Sequence, residues 1–244
     1  MSVTTPQLKI SFSDDDATFD IGIDEAGRGP LFGRVYASAV ILPKAQEGEG
    51  AFHYSWMKDS KKFTSKKKIQ EVAEYIKTNA TAWSVCYEDE KTIDKINILQ
   101  ATQHAMHRSI KECMRMCKER MDGTTKAYHL LVDGNYFNSY LNFDKATGEL
   151  TAVPHTCVKG GDNEYACIAA ASILAKVSRD QYIEELCDAY PLLNEIYSIR
   201  GNKGYGAKQH MQGIREHGIT KWHRQSYAPC KEKPLIDIPQ EPSV

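Results

Sequence analysis

Apolar and polar positions alternate from Phe19 to Ile23 as on a half-buried strand, and glycines at 27, 29 and 33 cut the run short. The pattern predicts a strand over Thr18–Asp24 and a neighbour over Val35–Leu42, ended by Pro43. Ile69, Val72, Ala73 and Ile76 recur at helical intervals, which predicts a helix over Ser65–Ala80 with Ser65 as its N-cap. Thr81–Tyr87 is strand-prone. Leu99, Thr102, Met106, Ile110, Cys113 and Cys117 form one stripe of a helix over Ile98–Arg120, where Met and Cys serve as core. A short strand over Tyr128–Val132 runs into Asp133-Gly134, and an extended stretch over Gly148–Val158 leads to a long helix, Asn163–Tyr190. That helix is apolar nearly all round in its first half and is expected to be buried there. Pro191 ends it, Gly201–Gly206 forms a basic glycine loop, and a short helix spans Ala207–His217. Strands interleaved with helices give an α/β layer structure with a mixed sheet.

With 244 residues and 41% apolar content, the chain is long enough for one good-sized core, and one domain is expected. No apolar stretch approaches the ~20 residues of a membrane helix, and Met1–Asp16 lacks the basic start and apolar centre of a secretory signal. A soluble, cytoplasmic protein with no membrane association is the expectation. Seven cysteines without a C-x-x-C pair argue against a disulfide framework or a thiolate zinc site. A formal charge of −1, from 31 basic and 32 acidic residues, excludes a global polycation, so any nucleic-acid contact must be local. Lysines 58, 61, 62, 66, 67 and 68 are one candidate patch; the solvated start of a helix explains them equally well by charge pattern alone. Met1–Asp16 and the proline-rich stretch after residue 228 are expected to be poorly ordered tails around a domain over 17–228.

Three acidic positions share a local grammar: Asp24-Glu25, Asp133 and Asp162 each follow an apolar or β-prone segment and adjoin glycine. Carboxylates gathered at strand ends repel unless cations sit between them, and an all-oxygen set suits hard Mg²⁺ or Mn²⁺. Two such ions align a water and a phosphodiester for in-line displacement. Neighbours on a straight strand point to opposite faces, so Asp24 and Glu25 share a site only if the backbone bends near the glycines. An Asp-Glu pair that merely starts a solvated turn is the plain alternative.

Gly22-Ile23-Asp24-Glu25-Ala26-Gly27-Arg28-Gly29-Pro30, Asp59-Ser60-Lys61, Ile96-Asn97-Ile98-Leu99-Gln100-Ala101-Thr102, Leu131-Val132-Asp133-Gly134-Asn135 and Lys159-Gly160-Gly161-Asp162 follow one another along the chain. The series continues through Ala169–Asp180 and Lys203-Gly204-Tyr205-Gly206 and spans about residues 18–228. In these motifs and their order the chain resembles ribonuclease HII, the type 2 ribonuclease H family. The resemblance implies an RNase H-like fold with a central mixed five-stranded sheet flanked by helices, plus a helical C-terminal portion. The implied metal ligands and catalytic residues are Asp24, Glu25, Asp133 and Asp162, holding two divalent ions, Mg²⁺ or Mn²⁺. The implied substrate-binding residues are Gly27, Arg28, Gly29, Lys61 and Tyr205. The implied reaction is endonucleolytic hydrolysis of RNA in RNA/DNA hybrids and at single ribonucleotides embedded in duplex DNA, leaving a 3′-hydroxyl and a 5′-phosphate. The protein is expected to act as a monomer, and its tail lacks the aromatic pair of a sliding-clamp peptide.

Three departures from the family pattern stand out: Arg34 in place of a common proline, an extra glycine before Asp162, and an expanded loop over Gly50–Trp56. Asp14-Asp15-Asp16 is a denser acidic cluster, but it precedes the first strand and reads as solvated. Asp180, beside Arg179 on the long helix, lies ~27 Å beyond Asp162 if helix runs from one to the other, and reads as having a structural ion-pair role rather than as a ligand. His223 beside Arg224 reads as a surface histidine. A strand-transfer nuclease of the same broad fold would share the carboxylates but have no use for the glycine-arginine-glycine turn with Tyr205. A non-catalytic hybrid-binding module is disfavoured because acids near phosphate weaken binding unless metals occupy them.

Overall fold

The computed structural model describes residues 8–12, 15, 17–44, 51–121, 126–143 and 148–240. They group into two compact units, where the sequence pattern predicts one domain. The first comprises Met1–Glu25, Ala37–Cys86 and Met106–Val177; the second comprises Ala26–Tyr36, Tyr87–Ala105 and Ser178–Val244. Among the described residues no helix is long and apolar enough to cross a membrane, and the seven cysteines are free thiols.

The first unit is built on a mixed five-stranded sheet. Its strands are β1 (Thr18–Ala26), β2 (Val35–Ile41), β3 (Ala82–Glu88), β4 (Ala127–Asp133) and β7 (His155–Val158), in the order β3-β2-β1-β4-β7. Between β4 and β7 the short strands β5 (Leu141–Phe143) and β6 (Leu150–Ala152) form a separate antiparallel pair. Strands β1 and β4 run parallel with Ile23 opposite Val132, and β4 and β7 run parallel with Asp133 opposite Val158. Leu130, Leu131 and Val132 are consecutive and all fully buried, so the sheet is covered on both faces at its centre.

Helix α1 (Lys66–Asn79) follows the predicted pattern: Ser65 Oγ accepts from the Lys68 N–H at 3.3 Å, and Ile69, Val72, Ala73 and Ile76 are buried. Helix α2 (Glu90–Arg120) starts eight residues before the predicted Ile98. It breaks at Asn97, whose φ of 66° and ψ of 164° are not helical and whose Oδ1 accepts from the Gln100 N–H at 3.0 Å. The predicted start is therefore the start of its second segment, and the short segment Glu90–Ile96 before it has too few turns to show a period. Helix α3 (Ala166–Ala189) buries Ala166, Ile168, Ala169, Ala170 and Ala171 completely, as its all-round apolar composition requires. It lies directly on β1: a Cβ at Gly22 would fall 2.1 Å from the carbonyl carbon of Cys167. Only glycine permits that approach.

Parts of the expected tails are tied down. Lys9 pairs with Tyr165 and exchanges backbone hydrogen bonds with Glu164 and Ala166, 2.8 and 2.9 Å long. In the second unit, α4 (Leu192–Tyr197), α5 (Ile199–Asn202) and α6 (Lys208–His217) follow α3. There Ile219 pairs with Leu235, and Ile238 is buried. Asp14, Asp16, Gly50 and residues 241–244 lie outside the described residues.

Candidate active site

The parallel register brings two of the expected acids to one edge. Asp24 and Asp133 each directly follow a member of the Ile23–Val132 pair, so they stand side by side near the C-terminal ends of adjacent strands, Asp24 two residues before the end of β1 and Asp133 at the end of β4. Asp162 follows β7 after three residues, on the 3₁₀ turn Gly161–Asn163. Two hydrogen bonds fix this turn: the Gly161 N–H donates to Asp133 Oδ1 at 2.7 Å, and the Asn163 amide donates to Asp162 Oδ1 at 2.9 Å. The extra glycine has a place here. Gly160 caps the turn with a φ of 70°, and a Cβ at Gly161 would meet Ile168 Cδ1 at 2.5 Å.

Asp24 and Asp162 are nearly inaccessible, at 5% and 4% exposure, whereas Glu25 and Asp133 are half-buried. Asp24 Oδ1 accepts from the Glu25 N–H at 2.7 Å, and the Ser172 hydroxyl also hydrogen-bonds its carboxylate. Burial, then repulsion from Glu25 and from Asp133, pushes the Asp24 carboxyl well above the ordinary range. Glu25 thus acts on the same carboxyl as Asp133 despite its neighbouring position on β1. Burial, then Asp59 and Asp133, raises Asp162 as well, with Lys61 and Asn163 opposing.

Lys61 sits where this negative charge is concentrated. Although burial works against its ammonium, Asp59, Asp162, Asp24 and Asp133 together hold it above the ordinary lysine range. It lies on the 3₁₀ turn Ser60–Lys62, capped by Asp59, whose Oδ1 accepts from the Lys61 N–H at 2.9 Å. The Ser60 and Ser172 hydroxyls meet at 3.0 Å, and Lys62 Nζ donates to Asn163 Oδ1. Asp59 is an acid of the site that strand-end patterning does not find. Its carboxylate also accepts from the Asn163 amide at 3.4 Å, and its charge raises the Asp162 carboxyl, second to burial. The only sequence signal for it is its place in the Asp-Ser-Lys motif; Ser172 and Asn163 likewise lie inside or beside family motifs without a charge to mark them.

All-oxygen donors under mutual repulsion suit a hard divalent cation. Among the described residues no group of three or more His, Cys, Asp or Glu is closed up around a single point.

Gly27, Arg28, Gly29 and Tyr205 belong to the second unit. Their loop is gripped by Arg224, which is fully buried and donates to the carbonyls of Gly27, Arg28, Pro30 and Gly33 at 2.6 to 2.9 Å. Arg179, also buried, donates to the carbonyls of Phe32 and Lys203. The Tyr205 ring, 52% exposed, lies beside Gly29, where a Cβ would stand 3.4 Å from Cε1. His223 corrects the surface reading: it is fully buried and bonded to His210. A cation or imidazole satisfied by buried backbone groups has no periodic signature, so sequence pattern misplaces it. Arg34, the departure from proline, stacks between Tyr87 and Tyr182, 4.0 and 4.4 Å from the ring centroids.

Residues 21–230 match the sequence profile of the family described as Ribonuclease HII. A ribonuclease HII of Bacteroides thetaiotaomicron is 41% identical over 208 residues, covering 85% of this chain and 88% of that one. Among solved structures, the ribonuclease H2 of Pyrococcus horikoshii aligns with a TM-score of 0.62 at 19% identity, covering 87% of this chain and 95% of the other. Bst-RNase HIII in complex with Mn²⁺ aligns with a TM-score of 0.59 at 16% identity, covering 88% and 68%. At these identities the two structures speak for the fold.

Proposed function

Because the chain belongs to the ribonuclease HII family and is a type 2 ribonuclease H acting on RNA/DNA hybrids, we propose that Asp24, Glu25, Asp133 and Asp162 carry its chemistry and that it also cuts at single ribonucleotides embedded in duplex DNA. The observation that carries this reading is the side-by-side placement of Asp24 and Asp133 near the C-terminal ends of paired parallel strands, with the Asp24 carboxyl raised by burial and then by its acidic neighbours.

The four carboxylates would hold two divalent ions, Mg²⁺ or Mn²⁺. Bound there, such ions favour ionisation of the attacking water and stabilise the leaving oxygen of a phosphodiester. The chain's own residues do the rest. Ser172 and the Glu25 N–H orient the Asp24 carboxylate. The Gly161 N–H orients that of Asp133, and Asn163 that of Asp162. Lys61 offsets the acids' repulsion of an incoming phosphate, and with its neighbouring lysines it contacts the backbone of the duplex. In the second unit, the main chain at Gly27–Gly29 and the Tyr205 hydroxyl and ring meet the sugar, where the 2′-hydroxyl separates RNA from DNA. The products are a 3′-hydroxyl and a 5′-phosphate.

The test is single-turnover cleavage of an RNA/DNA hybrid by wild type and Asp133→Asn, with hybrid affinity measured in parallel. The substitution removes a ligand but little volume, so cleavage should vanish while binding persists. Near-wild-type cleavage by the variant would remove Asp133 from the site.

A further inference from the structure

Tyr205 exposes its ring but is held by its backbone. Its carbonyl oxygen accepts from the Ala207 N–H at 2.7 Å and lies 2.9 Å from His210 Nδ1. His210 Nε2 is 3.0 Å from His223 Nε2, and His223 Nδ1 is 2.9 Å from the backbone nitrogen of Thr220. Both imidazoles are fully buried, with Phe32 and Tyr197 packed edge-on against His223.

The ends of this series fix its protons. The Thr220 N–H can only donate, so His223 Nδ1 accepts and the neutral ring carries its hydrogen on Nε2. That N–H then donates to His210 Nε2, which leaves His210 with its hydrogen on Nδ1, donating to the Tyr205 carbonyl. Each ring donates once and accepts once. A second proton on either ring would set two N–H groups against each other, and burial holds both histidines below their ordinary range.

We propose that His210 and His223 form a relay of fixed tautomers that holds the Tyr205 backbone in place, making His210 a specificity-determining positioning residue for recognition of a single embedded ribonucleotide. The inference rests on the reading of Tyr205 as the residue that meets the sugar there. A half-exposed aromatic must be held before substrate arrives, or its ordering is subtracted from binding. A long RNA strand offers many registers and tolerates a looser tyrosine; one ribonucleotide offers a single register and does not.

The experiment measures kcat and KM on a duplex with one ribonucleotide and on a long RNA/DNA hybrid, for His210→Phe and His210→Asn, each in wild-type and Tyr205→Ala backgrounds. His210→Phe removes both hydrogen bonds, whereas the Asn amide can still donate to the Tyr205 carbonyl. The expected result is a KM on the single-ribonucleotide duplex raised about fivefold to tenfold by His210→Phe, the worth of one buried hydrogen bond. His210→Asn should recover most of this, the long hybrid should hardly respond, and the effect should disappear in the Tyr205→Ala background. Nitrogen NMR of the wild-type rings should show His210 protonated on Nδ1 and His223 on Nε2, a readout independent of whether a variant folds. Equal losses on both substrates, effects that persist without Tyr205, or the opposite tautomers would overturn the relay. Failure of the wild-type protein to cut at the single ribonucleotide would instead overturn the reading of Tyr205 on which it rests.

Discussion

The Gly161 N–H donates to Asp133 Oδ1 at 2.7 Å, so the residue before one candidate ligand orients another. The two glycines of this turn should therefore fail differently. A Cβ at Gly160 meets open space but carries the strain of a φ of 70°. Gly160→Ala should cost about 1 kcal/mol of stability and leave cleavage largely intact. A Cβ at Gly161 would meet Ile168 at 2.5 Å and Val158 at 3.2 Å, displacing the turn that carries Asp162. Gly161→Ala should lose cleavage on the order of a hundredfold, as expected for a misplacement near 1 Å. Urea unfolding and single-turnover rates for both variants check the contrast.

Burial and then two acidic neighbours disfavour the charged form of the Asp24 carboxyl, an arrangement that opposes stability wherever that carboxyl is ionised. Asp24→Asn keeps the acceptor for the Glu25 N–H and removes the repulsion. Without divalent ions it should unfold later than wild type at neutral pH, where a carboxyl raised in the folded state lowers stability by its ionisation. It should also be inactive and lose the extra stability that Mg²⁺ or Mn²⁺ confers on wild type. Thermal unfolding with and without the ions, beside a cleavage assay, reads all three; a destabilised apo variant would contradict the electrostatic explanation.

If Lys61 and Lys62 bind phosphates, Lys61→Ala with Lys62→Ala should weaken hybrid binding and make the dependence of log affinity on log salt shallower, by roughly 1 for each phosphate no longer neutralised. An unchanged slope would return this stretch to a solvated helix start. Lys62 has a further bond to Asn163, so affinity without turnover is the appropriate measurement.

Burial, followed by the neighbouring His210, lowers His223 to about 3 in the folded protein. A depressed histidine leaves the unfolded chain binding more protons, so its contribution is fully present above about 6.5 and is lost as pH falls toward the folded value. Stability should thus decline between pH 7 and pH 5, and His223→Gln should flatten that decline. Denaturant unfolding at the two pH values in both proteins decides it; identical slopes would place His223 in contact with solvent.

Elements whose identity rests on apolar spacing are legible in the sequence. Ser65 caps α1, the small residues of α3 mark its burial, and Gly218 ends α6 with a φ of 93°. The acids of the site are legible because strand-end carboxylates next to glycine form an unusual local pattern, and the family motifs fix their order. What escapes is long-range satisfaction of polar groups. Arg224 carries no signal of its own in the sequence; the carbonyls of Gly27, Arg28, Pro30 and Gly33 close around it only in the fold. Asp59 reads as an isolated acid in a lysine run until the fold sets it beside Asp162. Lys9 reads as part of a polar tail until it pairs with Tyr165. Each depends on a partner more than a hundred residues away, or on backbone groups that every residue possesses.

The most direct test of the proposed function is to map the ends produced from a duplex carrying one ribonucleotide, with Mg²⁺ or Mn²⁺, by wild type, Asp133→Asn and Asp180→Asn. The predicted result is a cut at the ribonucleotide leaving a 3′-hydroxyl and a 5′-phosphate, abolished by Asp133→Asn and at most modestly slowed by Asp180→Asn. Binding without a cut in the wild type, or a complete and specific catalytic loss in Asp180→Asn, would contradict it.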